Sequence, residues 1–464
     1  MSKSLNFWAL PAQDVAIQGS RWVGYSPLNN SSITPLEFTI SELEDFVDLN
    51  QSYLNFDMRL PTGANNAGLY ADGQVTAAEA NQSGDDYTKY VYLVNNVAHT
   101  MIQQFDMWLN GTLMTKQTGM YAYRAFGETL LNYTPSEGET LLAPQGWVNY
   151  LNVNASLQAT NAVNDDRPVN AGMFATGETN PLKVLTSKFF GNGWVRLIMK
   201  PHLEAFHTGT VLVPGIEIKL RITFNSPEFF CFGTRMAGKK YPTLGPNDIQ
   251  AKFYLCRLTL NPTTYTALTK RRHNKGMWGR YPTVYMDVRT FTFDGDSTMF
   301  KKTDLFQGRV PDRLMVGLLD SRAYNGNLDH YPFAFQKFGV TRIRQIIRGD
   351  EYPYETLELN QNDNKKDLWG YHRFLQASGA LGKHQESMLK PGDWGHTKNC
   401  TLYLFNNVAG GDADSPLRNP QQQGDVTLEI NFGANPGQNL TVVVWGQFES
   451  VMDISGTGVV NYDV

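Results

Sequence analysis

Few residues in this sequence have the types and spacing that catalysis or metal binding requires. Two Asp–His pairs, Asp329-His330 and Asp393-x-x-His396, combine donors suited to acid–base or metal chemistry. An aspartate beside a loop histidine more often forms a surface hydrogen bond. Asp85-Asp86 and Asp412-x-Asp414 carry carboxylates of the kind that Ca²⁺ binds, although loop solvation is the favoured interpretation. We assign no catalytic, cofactor-binding or metal-ligating residue.

Motifs that mark common enzyme classes are missing from the sequence. It contains no Gly-x-Ser-x-Gly, no His-Glu-x-x-His and no Gly-x-x-x-x-Gly-Lys-Ser/Thr. Gly456-x-Gly458 follows a predicted strand but opens no helix. Many β-sandwich glycosidases use paired carboxylates, and no convincing pair is present. The sequence predicts a protein that is not an enzyme and needs no cofactor.

A carbohydrate-binding β-sandwich, either a lectin or a glycosidase, is the main alternative. Trp147, Trp394 and Asn399 lie in predicted loops and would then form a platform for sugars.

Charge patterns point to contacts between proteins more than to nucleic acid. The formal net charge is −4, so specific nucleic-acid binding is not expected. The basic cluster from Lys270 to Arg280 fits a nuclear import signal, a patch facing packaged nucleic acid, or a solvated helix. Arg342, Arg344 and Arg348 share one face of a predicted strand. Arg348-Gly349-Asp350 matches an integrin-binding tripeptide, but turn chemistry explains it.

The cysteines and the N-terminus indicate a reducing compartment. Cys231, Cys256 and Cys400 are odd in number and far apart, which favours buried free thiols. The N-terminus lacks the apolar run of a signal peptide, and no window resembles a membrane span.

The elements that would position any site follow an all-β pattern used twice. Residues 216–225 and 426–432 alternate apolar and polar side chains, as strands with one buried face do. At 464 residues, the chain exceeds the size of a single core, which is about 250–300 residues. We predict two tandem jelly-roll β-sandwiches, with an N-terminal arm over 1–27, a first jelly roll over 28–262 and a second over 263–464.

The two halves repeat a common order of elements. Asn110-Gly111 and Arg348-Gly349 each close a predicted strand, and a Tyr-x-Tyr follows each turn. Short helices are predicted over 123–133, 263–275 and 368–375. The polar stretches 62–88 and 134–180 are predicted to be long loops with a role in binding or assembly.

Ordered sequence blocks give the chain a family resemblance. They are Trp22-Val-Gly-Tyr-Ser-Pro27, Leu109-Asn-Gly-Thr-Leu113, Tyr121 to Tyr133, Pro311 to Asp320, Ala323-Tyr-Asn-Gly326, Pro332-Phe-Ala-Phe335 and Val443 to Ile454. In these blocks the chain resembles the hexon-like major capsid proteins of Polinton (Maverick) elements and adintoviruses, and more distantly those of virophages. Ala122 departs from the proline that many relatives have there.

The resemblance implies a homotrimer whose six jelly rolls form a pseudo-hexagonal unit of an icosahedral virion. A minor vertex protein is a third possibility. Its partners would be further copies of itself, together with penton and minor capsid proteins, and assembly would occur in the host nucleus or cytoplasm. The loops 62–88 and 134–180 would interlock at the top of the trimer. The arm over 1–27, anchored by Trp8 and Trp22, would tie its base to neighbours.

Overall fold

Antiparallel strands are the main regular elements of the structure, and they occur in two similar sets. The computed structural model describes residues 16–29, 35–41, 44–58, 91–153, 182, 185, 194–233, 249–274, 279–359, 368–411, 413 and 418–462. The predicted loop at 62–88 and residues 154–180 of the other predicted loop therefore lie outside the described residues.

The described residues of the first half contain ten strands. They are β1 (Ile17–Tyr25), β2 (Leu36–Ile40), β3 (Phe46–Met58), β4 (Val91–Leu93), β5 (Ile102–Leu109), β6 (Thr112–Leu113), β7 (Val195–Met199), β8 (Ile218–Phe224), β9 (Cys231–Gly233) and β10 (Ile249–Leu260). Two four-stranded sheets result, with the orders β1-β10-β3-β7 and β2-β8-β5-β6. Strands β4 and β9 form a separate pair.

In the part of the second half that the structure describes there are twelve strands. They are β11 (Gly279–Phe293), β12 (Met299–Lys302), β13 (Arg309–Val310), β14 (Arg313–Asp320), β15 (Val340–Ile347), β16 (Asp350–Glu351), β17 (Leu357–Glu358), β18 (Leu402–Asn406), β19 (Gln422–Gln423), β20 (Val426–Phe432), β21 (Leu440–Ile454) and β22 (Val460–Tyr462). Its main sheets have the orders β11-β21-β14-β18 and β12-β20-β15-β16, with β22 paired to β21 and β17 to β15. Strands β13 and β19 form a separate pair.

Helices are short and lie in the connections. They are α1 (Val97–Thr100), α2 (Tyr121–Asn132), α3 (Pro135–Thr140), α4 (Pro227–Phe230), α5 (Pro262–Asn274), α6 (Ser321–Tyr324), α7 (Leu368–Ser378) and α8 (Ala380–Lys383), with 3₁₀ turns at Ala143–Gln145 and Glu204–His207. The three helices predicted from sequence correspond to α2, α5 and α7.

The strand order of each half is that of a jelly roll. When the eight principal strands of a half are numbered along the chain, one sheet has the order 1-8-3-6 and the other has 2-7-4-5. Both halves follow this order, which confirms the prediction of two tandem jelly rolls.

Alternation and turn residues explain why the strands form where they do. In β8 the apolar side chains are buried while Lys219 and Arg221 remain partly exposed. Asn110 and Gly111 both have positive φ angles, as do Arg348 and Gly349, and each pair forms a two-residue hairpin turn. The integrin-like tripeptide is thus part of a β-turn.

The structure corrects the predicted N-terminal arm. Ile17–Tyr25 forms β1, which pairs antiparallel with β10 along its length, from Ile17 opposite Leu260 to Tyr25 opposite Phe253. It occupies the same place in its sheet as β11 does in the second half. Residues 1–15 lie outside the described residues, and an arm role for them stays a prediction.

The predicted loop from residue 134 also begins as ordered structure. Thr134 caps α3, since its hydroxyl accepts from the amide of Glu137 and the Glu137 carboxylate accepts from the amide of Thr134. Trp147 then turns into the core, where it is 3% exposed.

Two truncations test the place of β1. Deleting residues 1–27 removes an edge strand and uncovers β10, so we expect no cooperative thermal unfolding by circular dichroism. The matched deletion of residues 1–15 keeps β1 and should retain a cooperative transition. Equal melting of the two proteins would show that β1 does not stabilise the first jelly roll.

Candidate functional site

Among the described residues, the junction between the two jelly rolls is the candidate functional region. Helix α2 belongs to the first half but packs on the second. The Trp445 indole Nε1 donates to the Tyr123 carbonyl at 2.8 Å. Phe126 stacks on Phe333 with ring centroids 4.7 Å apart.

A glycine permits this approach. A Cβ built on Gly127 would lie 2.9 Å from the Trp445 ring and 3.0 Å from the Met315 methyl carbon, closer than side chains normally pack. Trp445 and Met315 are each 1% exposed. One continuous cluster of buried apolar residues therefore extends through both halves.

Polar contacts also join the halves. The Lys116 ammonium lies 3.0 Å from the Asp287 carboxylate, whose side chain is almost fully buried. The Asn110 amide Nδ2 donates to the Gly458 carbonyl at 2.7 Å, and the Thr112 hydroxyl donates to the Val460 carbonyl at 3.3 Å. A crevice of about 30 Å³ beside Lys116 and Asp287 is far smaller than the ~300 Å³ or more of a small-molecule site.

A buried charged cluster lies under α2 in the first jelly roll. The Arg124 guanidinium donates to Glu128 and to Glu204, each at 2.8 Å. The second Glu128 oxygen lies 2.7 Å from Nδ1 of His202. Removing charged groups from water costs desolvation free energy, which offsets much of their mutual attraction. This cluster therefore fixes the orientation of α2 more than it adds to the stability of the helix.

Burial and the neighbouring charges shift the pKa values of this cluster. Burial opposes ionisation of Glu128, but Arg124 and the hydrogen bond from His202 outweigh it and lower the pKa of Glu128 to about 2. Burial raises the pKa of Glu204, which Arg124 only partly offsets. Burial and the nearby His202 lower the pKa of His99 well below its ordinary value.

Sequence reasoning missed this cluster because its members are far apart in the chain: Glu128 and His202 are 74 residues apart. Glu128, His202 and His207 have potential ligand atoms within 4.8 Å of one another. Both Glu128 oxygens already accept from Arg124 and His202, so the carboxylate is engaged in the protein's own network.

The Asp–His pairs stand apart from one another. His330 is buried, and its Nδ1 lies 2.8 Å from Asp329. The Asp393 carboxylate instead accepts from the amide of Lys390. Asp85, Asp86, Asp412 and Asp414 lie outside the described residues.

The residues of the postulated sugar platform are buried. Trp147, Trp394 and Asn399 are 3%, 4% and 7% exposed. The Trp147 indole donates to the Asn149 side chain and the Trp394 indole to the Leu402 carbonyl, each at 2.8 Å. That prediction was wrong: the side chains serve the core, and their polar atoms are satisfied inside the protein.

The three arginines that share one strand face, Arg342, Arg344 and Arg348, form ion pairs and hydrogen bonds within the chain. Arg342 pairs with Glu358 at 2.9 Å, and Arg344 pairs with both Glu351 and Glu429. Arg348 donates to the Gln423 carbonyl. Of the basic cluster, Lys270 and Arg271 lie on α5, Arg280 lies 3.7 Å from Asp453, and residues 275–278 lie outside the described residues.

The three cysteines are buried free thiols, as predicted. Among the helices of the described residues, none is long and apolar enough to cross a membrane.

The close approach of α2 to Trp445 predicts the effect of adding one methyl group. We expect Gly127→Ala to destabilise the protein by about 1–3 kcal/mol, because overpacking exceeds the gain in helix propensity. Gly382→Ala on α8 is the matched control, since its Cβ would meet nothing within 4 Å. Urea unfolding midpoints compare the variants; equal midpoints would contradict a tight junction.

His99 predicts a pH dependence of stability. Its Nδ1 contacts the Tyr121 hydroxyl at 3.1 Å and its Nε2 contacts Gln145 at 3.2 Å. With a lowered pKa, the folded protein does not bind a proton that the unfolded chain binds below about pH 6.5, so stability falls as pH drops, by up to about 1.4 kcal/mol per unit. His99→Gln should flatten this slope between pH 6.5 and 5, measured by urea unfolding.

The exposed His384→Asn variant is the control for His99→Gln. It should keep the wild-type slope. If His99→Gln also kept that slope, the loss of stability on acidification would have to come from other groups.

Comparison with known proteins extends these observations. No family model matches the chain. An uncharacterized protein of Caenorhabditis elegans is 24% identical over 458 residues, which cover 96% of this chain and 97% of that protein.

Solved structures of viral capsids share the architecture at low sequence identity. A chain of the quasi-atomic PBCV-1 virus capsid matches with a TM-score of 0.58 and 10% identity, covering 99% of this chain and 100% of that one. A chain of the Sputnik virophage matches with a TM-score of 0.60, 11% identity and coverage of 100% and 92%. The mavirus major capsid protein matches with a TM-score of 0.53 and 11% identity, covering 100% of this chain and 93% of that one. The chain therefore has the hexon-like double jelly-roll fold of viral major capsid proteins.

Proposed function

We propose that this protein is a structural major capsid protein that assembles as homotrimers into an icosahedral shell. The observation that carries the proposal is the exact-order repeat of two jelly rolls joined by one continuous core. Three copies of such a chain supply six similar domains, so a three-fold unit can fill a six-fold position.

The chemistry of the described residues supports a structural role without catalysis. The charged groups at the junction are engaged in hydrogen bonds and ion pairs within the chain, and the crevice beside them is too small for a typical substrate. We therefore propose a non-enzymatic protein that needs no cofactor and is located in the virion.

The proposed partners are neighbouring capsomers and, at vertices and seams, penton and minor capsid proteins. The Polinton or adintovirus type is part of the proposal and is supported by the resemblance of the sequence blocks between Trp22 and Ile454. Assembly in the host nucleus or cytoplasm is part of the same proposal.

The mass of the purified protein tests the trimer. Light scattering coupled to size exclusion should give three times the chain mass of 52.2 kDa, and this mass should persist on dilution. Negative-stain imaging should show pseudo-hexagonal particles. A 52.2 kDa monomer that forms no such particle at any concentration tested would overturn the proposed function.

A further inference from the structure

The two jelly rolls differ in what covers the outer face of their first sheet. In the second jelly roll, Phe293 of β11 points inward, because it stacks on Phe432 of the opposite sheet with centroids 5.1 Å apart. Its cross-strand partner Leu440 shares that inner face. Trp445, five residues along β21, lies on the outer face, where α2 of the first half covers it.

In the corresponding sheet of the first jelly roll, the part of the outer face around Trp22 and Ile198 is open among the described residues, whereas Asn55 on the same face is buried. Leu54 and Phe56 of β3 point into the core and are fully buried. The outer side carries Trp22, which is 46% exposed, and Ile198, which is 40% exposed. Ile198 is the cross-strand partner of Asn55, between those two inward residues.

This open face is ordered and partly aromatic. Tyr53 and Tyr254 stack across strands with ring centroids 5.0 Å apart. Arg196 makes a two-pronged ion pair with Asp57, with contacts of 2.7 and 2.8 Å. Aromatic and aliphatic groups beside neutralised charges are the composition of an interface rather than of a solvated face.

Helix α7 occupies the place in the second half that α2 occupies in the first. Both helices lie in the connection between the fifth and sixth principal strands of their jelly roll. Gly370, Phe374 and Ala377 bury one side of α7 in its own half. The opposite side presents Leu368, 59% exposed, and Trp369, 52% exposed.

Neighbouring groups hold Trp369 in place. The Arg373 guanidinium lies 4.5 Å from the centroid of the Trp369 ring and 4.5 Å from that of Tyr354. The His372 ring stacks on Trp369 with centroids 5.7 Å apart. A tryptophan fixed by cation–π and stacking contacts loses little side-chain entropy on binding, which is typical of an interface anchor.

We propose that the exposed side of α7 docks on the open outer face of the first jelly roll in a second copy of this chain. This contact between subunits would repeat the contact that α2 makes with Trp445 within one chain. Such a contact is heterologous, so it links copies head to tail and closes when the ring is complete. The inference rests on the proposed trimer and names the residues that form its seam.

Cross-linking between introduced cysteines tests the pairing in the full-length protein. A variant with Leu368→Cys and Ile198→Cys, treated with a short bismaleimide, should give covalent dimers and trimers, because each copy supplies both halves of the contact. The three native cysteines are buried. A variant with Met299→Cys and Ile198→Cys is the matched control, since Met299 is 51% exposed on β12 and lies outside α7, and it should remain uncrosslinked.

Loss of the anchor gives an independent measurement. Trp369→Ala should weaken association at least tenfold by analytical ultracentrifugation, a size typical of a lost hot-spot residue. Met299→Ala, at a residue 51% exposed on β12, is the control and should associate like the wild type. Circular dichroism melting checks that each variant is folded; if Trp369→Ala is not, Leu368→Ser replaces it.

The outcomes separate the two proposals. The inference is overturned, and the capsid proposal stands, if the wild type forms trimers but two results are negative. These are no cross-link in the variant with Leu368→Cys and Ile198→Cys, and unchanged association of Trp369→Ala. A wild-type protein that stays monomeric would overturn the proposed function itself.

Discussion

Helix α2 and Trp445 make the contact on which the rest of the molecule depends. A jelly roll on its own buries the inner faces of its sheets and leaves the outer faces to water. Here the outer face of one sheet in the second half carries a tryptophan, and the first half supplies the helix that covers it. Gly127 makes the approach possible because no side chain separates helix and indole. Two sandwiches thereby share one core.

The charged cluster beneath α2 supports the same contact, since Arg124 and Glu128 flank Gly127 on the helix. Arg124 holds Glu128 and Glu204 in fixed positions, and His202 makes a further hydrogen bond to Glu128. Buried ion pairs contribute little net stability, but they penalise any shift that would break a charge-assisted hydrogen bond. The side of α2 that meets Trp445 is therefore held in a single register by polar bonds from neighbouring positions of the same helix.

Strands with one buried face and one wet face were predictable from sequence, and so were the hairpins. Strand β20 spans the predicted residues 426–432, because its inner positions are apolar without a break. Strand β1 was missed because most of its side chains are exposed, so its sequence lacks the alternation that marks a half-buried strand. The capping-box residues Thr134 and Glu137 indicate the start of α3 in the sequence, but this segment was predicted to be a loop.

The candidate site was much less predictable than the fold. The ion pairs of Arg124 and Glu204 join residues 80 positions apart, and no local pattern encodes such proximity. Trp147 and Trp394 lie outside regular strands, which suggested exposure, yet each indole N–H finds an acceptor inside the protein. Burial of a loop aromatic depends on a partner elsewhere in the chain, which spacing alone does not reveal.

The hairpin turn at Asn110 has a consequence for the order of events during synthesis. Its side chain donates to the carbonyl of Gly458, a residue that leaves the ribosome 348 positions later. The first half therefore emerges with bonding positions that stay empty until the second half has been translated. Domains usually fold as they emerge, one after the other. In this chain the earlier domain can form all of its native contacts only after the later domain has been synthesised. The two halves therefore complete their fold together, once translation has ended.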